Sequence, residues 1–410
     1  MKLSFKKINI TPQKPCMQAG YVQREHPFES VHDDIYSTIF VLENQTSKVV
    51  WIGADLIGFN EEFIQLLINK TKKYDIYLDS SNLVLGGTHN HSAPTVNVIY
   101  DEYFGEPNLE YVEYLSDLYT DSIVELWNEN GVEVQAKYCS AMIDGLYSNR
   151  NDVNKLSDKV VHLLGFFNKN ELIATFCNMS CHNTVLGPKN YQITSEVFGM
   201  TRNHLEERLG GIFLMSNGNA GDMGNRQYRT GQEFVDCEKM AANLADQIVR
   251  KHTDWQSLSL EHLEYKHIEF RKTIILDSNI YIEKIAEFNE RLKHTDDLTE
   301  RKVLLSGIAG FEHKMSYGDG PHELIMPAEI FTFDDLQIIC IPGELGSILG
   351  LQIKAASKKR HSILWGYTGP CDLGYIIDEE AYKLECQETN TTIYPCGTPE
   401  EYRDYIISEL

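Results

Sequence analysis

The chain has 410 residues, 42% of them hydrophobic, enough to bury a large core. Its 37 Lys and Arg against 60 Asp and Glu leave a formal net charge of −23, which argues against a nucleic-acid or anionic-membrane partner, because both call for a basic face. No apolar run reaches the length of a membrane span and the N-terminus lacks the apolar stretch of a secretory signal, so a cytoplasmic protein acting on a small molecule is expected.

The nine cysteines form no CxxC pair, which fits a reducing compartment. Cys177 and Cys340 lie in apolar strands as small hydrophobes. Cys371, Cys386 and Cys396 lie in a Gly/Pro-rich tail, where a reactive thiol would be sought.

In chain order, alternation predicts a hairpin from 35–43 and 48–54 around Asn44-Gln45-Thr46, then a helix over 61–73. Leu83-Val84-Leu85 reads as a buried strand running into Gly86-Gly87-Thr88-His89-Asn90-His91-Ser92-Ala93-Pro94. Residues 110–130 form an amphipathic helix with Val112, Leu115, Tyr119 and Leu126 on one face and Gly131 as its stop. A second hairpin joins 159–167 to 171–178, followed by helix 196–209, strand 212–215 and helices 233–250 and 280–293, with an exposed loop at 294–297. Strands 330–333 and 338–341 precede a short helix at 347–356 and a strand at 363–367.

This alternation predicts the α/β class, with two mixed or antiparallel sheets packed between helices. No Pro/Gly/Ser linker interrupts the chain, so a single domain over 1–410 is expected. The order hairpin, carboxylate, helix, strand, glycine turn, polar cluster occurs twice, around Asp55 and His89 and again around Glu344 and Tyr367. We read it as an internal pseudo-repeat whose two-fold axis brings the strand ends together.

Chemistry concentrates at those ends. His89 and His91, two apart after a strand, are expected on one side of an extended backbone, and neutral imidazole is the commonest zinc ligand. His182 leaves an apolar strand in the same manner; its plainer role is a ring bonded to a nearby carbonyl. Glu344 follows a fully apolar strand, where an unpaired charge costs several kcal/mol, so it needs a metal cation or a basic side chain. The loop from Asn217 to Asn225 is rich in small residues that present N–H groups, and two tyrosines, Tyr367 and Tyr375, punctuate a glycine-rich segment.

These pieces, in this order, resemble the catalytic domain of neutral, non-lysosomal ceramidases over about 19–387. The matching segments are Gly20-Tyr21, Ala54-Asp55, Gly87-Thr88-His89-Asn90-His91-Ser92, Asn149-Arg150, Ser180-Cys181-His182-Asn183-Thr184, Asn219-Ala220-Gly221-Asp222, Pro342-Gly343-Glu344 and Tyr375-Ile376-Ile377-Asp378-Glu379-Glu380-Ala381-Tyr382. The resemblance implies one Zn2+ held by His89, His182, Glu344 and Tyr375. It also implies His91 toward the substrate and Arg150 at the site's edge, with His91, Arg150 and Tyr375 serving the reaction and Asn219 and Asp222 on the substrate side. The implied activity is hydrolysis of a carbon–nitrogen (amide) bond by metal-activated water. Gly224 stands where the family has a functional serine, Gln387 replaces a tyrosine, and no counterpart of the family's C-terminal immunoglobulin-like domain is expected. These departures leave open a metal-dependent esterase, a hydrolase of carbohydrate-linked groups and a non-catalytic metal-binding protein. A substrate smaller or more polar than ceramide fits the polar surroundings. A second divalent ion at Asp55 is not required, and the oligomeric state is not legible.

Overall fold

The computed structural model describes residues 1–21, 23–96, 106–252 and 254–410. One building unit recurs three times along them. It consists of three consecutive antiparallel strands, a crossover helix, a fourth strand parallel to the third, and a second helix.

In the first copy these are β1 (Lys2–Asn9), β2 (Tyr36–Glu43), β3 (Lys48–Ala54), α1 (Glu61–Thr71), β4 (Leu83–Gly87) and α2 (Leu109–Asn128). In the second they are β5 (Gln135–Met142), β6 (Val160–Asn168), β7 (Glu171–Met179), α3 (Glu196–Leu209), β8 (Ile212–Asn217) and α4 (Phe234–Val249). The third begins with β9 (Leu263–Leu276), then inserts a helical hairpin, α5 (Ser278–Leu292) and α6 (Leu298–Ser316). It resumes with β10 (Gly320–Phe333), β11 (Leu336–Ile341), α7 (Ser347–Ala356), β12 (His361–Gly366) and α8 (Thr398–Glu409). The sheet orders β4-β3-β2-β1, β8-β7-β6-β5 and β12-β11-β10-β9 correspond term by term.

Local chemistry accounts for the element ends. The β2–β3 turn closes on Asn44, whose Oδ1 accepts from the N–H groups of Thr46 (3.0 Å) and Ser47 (2.9 Å). Helix α1 starts on Asn60, whose Oδ1 accepts from Phe63 N–H at 3.1 Å, with Glu61 and Glu62 in the first turn. A parallel β3–β4 pair needs a long crossover, and α1 supplies it.

Period-two alternation then sorts each strand into two apolar faces. Ile39, Val41 and Ile52 pack outward against Phe63, Leu67, Leu115 and Tyr119 of α1 and α2. Leu163, Cys177 and Met215 meet α3 and α4 through Val197, Leu205, Leu244 and Ile248. Ile330, Ile339 and Leu364 meet α7 and α8 through Leu349, Ile353, Tyr402 and Ile406. The inner faces of all three sheets share one core built from Phe40, Trp51, Phe166, Phe176, Leu214, Phe331, Ile338 and Trp365. Within it Trp51, Phe176 and Trp365, one from each sheet, pack with ring centroids 4.9–6.1 Å apart.

The α/β class with mixed sheets between helices therefore holds, with three large sheets among the described residues where two were expected. The repeat likewise has a third copy, made of the predicted hairpin 159–178, helix 196–209 and strand 212–215. No helix among the described residues is long and apolar enough to cross a membrane.

Candidate metal centre

The C-terminal ends of the six parallel strands, a pair from each sheet, point to one place. β3 and β4 deliver Asp55 and His89, β7 and β8 deliver His182 and the loop Asn217–Asn225, and β11 and β12 deliver Glu344 and Tyr367. Close approach there needs glycine. A Cβ on Gly366 would lie 2.3 Å from the carbonyl oxygen of Gly218, so the second and third sheets touch backbone to backbone.

Three imidazoles and a carboxylate converge. His89 Nε2 and His182 Nε2 each lie 3.3 Å from Glu344 Oε2, and His91 Nε2 lies 3.1 Å from His89 Nε2. The imidazoles of His89, His91 and His182 are close enough for one ion to be held among them. His89 is not in an extended strand as its spacing suggested. β4 ends at Gly87, and His89 has φ 60°. Tyr367, directly after β12, repeats the feature with φ 56°. A left-handed residue with a Cβ costs about 1–2 kcal/mol, and here it turns His89 back over the strand ends toward His91 and His182.

The other imidazole nitrogens face the scaffold. His182 Nδ1 is 2.9 Å from Ala220 O and His89 Nδ1 is 3.4 Å from Ile57 O, which leaves both Nε2 atoms free to take a cation. His182 Nε2 is buried and has no hydrogen-bond partner. Burial lowers His89 to about 4, and it takes His91 and His182 well below the ordinary imidazole value. All three are neutral donors near pH 7, the form a metal binds. Burial also raises Glu344, against the pull of His89 and Arg150. Three buried neutral imidazoles, an orphaned nitrogen and one carboxylate fit a divalent cation such as zinc.

Tyr375 joins from the side. It is the register partner of Glu344 in a short parallel ladder, and its ring stacks on His182 at 6.4 Å. Its hydroxyl bonds Glu344 and accepts from Arg150 Nη2 at 3.1 Å. Tyr367, which the resemblance did not single out, packs its ring 4.4 Å from His89 and donates to Glu344 Oε2 at 3.5 Å.

Arg150 is buried and pairs through Nε with the buried carboxylate of Glu388, 238 residues away. Burial alone would favour neutral forms, yet the attraction between the two holds Glu388 down at about 2 and Arg150 well above its usual value. Sequence reasoning missed Glu388, because nothing local marks a carboxylate whose partner lies so far along the chain.

Asn219 and Asp222, expected on the substrate side, spend their polar atoms on the scaffold. Asn219 donates to Ser347 O at 2.9 Å, while Asp222 accepts from Ser347 N (2.7 Å), Ser347 Oγ (3.2 Å) and Asn149 Nδ2 (2.7 Å). Asp55 is a bidentate partner of Arg202, with both oxygens at 2.8 Å, so its carboxylate is committed away from the centre. A Cβ on Gly224 would sit 3.2 Å from Arg150 Cβ, so a side chain at this position would crowd Arg150.

No protein-family model and no curated protein matches the chain. Solved structures do. A neutral ceramidase from Pseudomonas aeruginosa aligns with a TM-score of 0.78 at 18% identity, over 99% of this chain and 73% of that one. A ceramidase complexed with C2 aligns with a TM-score of 0.76 at 16% identity, over 99% and 74%. The chain has a ceramidase-like fold.

Proposed function

We propose that the chain is a zinc-dependent hydrolase of a carbon–nitrogen (amide) bond, with a substrate smaller or more polar than ceramide. One observation carries this reading. An imidazole nitrogen from each of two structural repeats, His89 Nε2 and His182 Nε2, lies 3.3 Å from one carboxylate oxygen of the third, Glu344 Oε2, in a buried site. The amide bond as target draws on the ceramidase structures that the fold matches.

His89, His182, Glu344 and Tyr375 would hold the ion. When bound, zinc acidifies a water at neutral pH and polarises the carbonyl under attack. His91, neutral and beside His89, would take the proton that the attacking water loses and hand it on to the leaving amine. Arg150 keeps its charge through Glu388 and directs it at the Tyr375 hydroxyl, steadying negative charge that develops there. Asn219 and Asp222 support this group by tying the loop after β8 to the start of α7. The nine unbridged cysteines support a reducing, cytoplasmic setting.

The test strips the protein with a chelator, restores zinc, and compares short N-acyl amides with matched esters. Stoichiometric metal and amide turnover are expected. His91→Ala should keep the metal and lose about 10²–10⁴-fold in kcat, whereas His182→Ala should lose the metal. A protein that retains no stoichiometric metal, or that cleaves only esters, contradicts the reading.

A further inference from the structure

A chain of net charge −23 places a cluster of cations beside the candidate centre, and among the described residues most of them have no acid paired with them. Lys302, on α6 of the inserted hairpin, sits over the Tyr21 ring at 5.4 Å. The edge of that ring meets His91 at 4.9 Å. Arg24 lies over the same ring at 4.9 Å. Its Nη1 donates to Ala19 O at 2.9 Å and to His91 O. Arg24 is 6% exposed, and its Nε and Nη2 are buried without a hydrogen-bond partner. Arg229 is anchored on the carbonyls of Thr184 (3.0 Å) and Val185 (2.7 Å), just past His182. Arg226, exposed at the surface, lies within electrostatic reach of Arg150 and Arg229.

Among the described residues, no carboxylate forms an ion pair with Lys302, Arg24, Arg226 or Arg229. The nearby acids are engaged elsewhere. Glu388 holds Arg150, Glu344 faces His89 and His182, and Glu196 accepts from the N–H groups of Val185 and Leu186. Burial first, then repulsion from Arg150, Arg226 and Arg229, lowers Lys302 to about 8. Crowding like charges at a partly desolvated site is unfavourable unless a counter-charge arrives. Among the described residues no carboxylate is placed against these four cations, although the chain holds 60 acidic residues. A neutral substrate would leave the cluster uncompensated, and an anionic one relieves it.

We propose that Lys302, Arg24, Arg226 and Arg229 form an anion-recognition subsite beside the metal centre, selecting substrates that carry a compact carboxylate, sulfonate or phosphate close to the scissile amide. The proposal rests on the amide-hydrolase reading above and names its substrate class.

The test measures binding to zinc-reconstituted protein by calorimetry. The probes are N-acetylglycine, N-acetyltaurine and N-acetyl-O-phosphoethanolamine, set against neutral N-acetylethanolamine. Charge-assisted hydrogen bonds predict that at least one anion binds about tenfold or more tightly than the neutral probe, and which one does so identifies the group. Lys302→Met combined with Arg226→Gln removes two of the four cations and should cut the ratio severalfold at unchanged zinc content and melting midpoint. Arg226→Lys, which keeps the charge and controls for folding, should retain the preference. No preference in the wild type, or a preference that the double substitution leaves undiminished because the anion sits on the metal, overturns the subsite. Selective anion binding without amide turnover keeps the subsite and removes the amidase. Turnover of the neutral probe as fast as the anionic ones does the reverse.

Discussion

The pair Arg150–Glu388 shows how one residue's charge is maintained inside the molecule. Both side chains are almost wholly buried, and each neutralises the other. Glu388→Gln removes only the charge, so Arg150 is left desolvated beside the centre. The expected cost is about 3–5 kcal/mol of folding stability, read from denaturant midpoints, because breaking a buried pair is far worse than never having had one. The pH dependence has a definite sign. Glu388 falls from an ordinary 4.5 to about 2 on folding, so its stabilisation is present above 4.5 and fades as pH drops toward 2. Wild type and variant should therefore converge in stability over that acid range; a constant gap would place the cost outside this charge. At this scale the sequence was legible where chemistry is local. His89, His182 and Glu344, which the fold brings together, each stand out as a polar residue after an apolar strand. Glu388 and Lys302 do not, because their meaning comes from partners brought in by distant elements.

At the scale of elements, the central strands and crossover helices were read well because burial on both faces leaves continuous apolar runs. β3 is buried along all but its first residue, and α3 and α7 lie where the apolar pattern put them. β1, β5 and β9 open their units with one face partly wet, and the polar and charged residues on that face hid the strand signal. The inserted hairpin was half seen: α5 was predicted and α6 was not. α6 nevertheless positions two features of the site, Lys302 directly and Glu388 through the short helix Gln387–Thr391 that it packs against. Gly310 makes that contact. A Cβ there would lie 2.7 Å from Thr391 Cα and 2.9 Å from Asn390 O, both backbone atoms with little room to yield. Gly310→Ala therefore sets two effects against each other. Helix propensity favours alanine by about 1 kcal/mol, while overpacking against backbone costs about 1–3 kcal/mol. Packing should win, and urea unfolding should show a net loss; a gain would mean that the α6 contact is slack.

On the scale of the whole molecule, three sheets, each with its own helical layer outside, share one aromatic core between their inner faces. Trp51, Phe176 and Trp365 are contributed by different repeats and touch one another. The candidate ligands are distributed in the same way, with His89 from the first repeat, His182 from the second and Glu344 and Tyr375 from the third. An ion gripped by all three would act on the equilibrium between the assembled core and the open chain, and not on one sheet alone. Zinc at about 100 times its dissociation constant should then stabilise the native state by about 2.7 kcal/mol. Calorimetry with and without chelator should show the main transition moving as one, with no shoulder left behind. If part of the heat absorption stayed in place while the rest shifted, the repeats would be unfolding separately. The shared core would then not be what joins them, and neither the single-domain reading nor a metal site spanning the three repeats would survive.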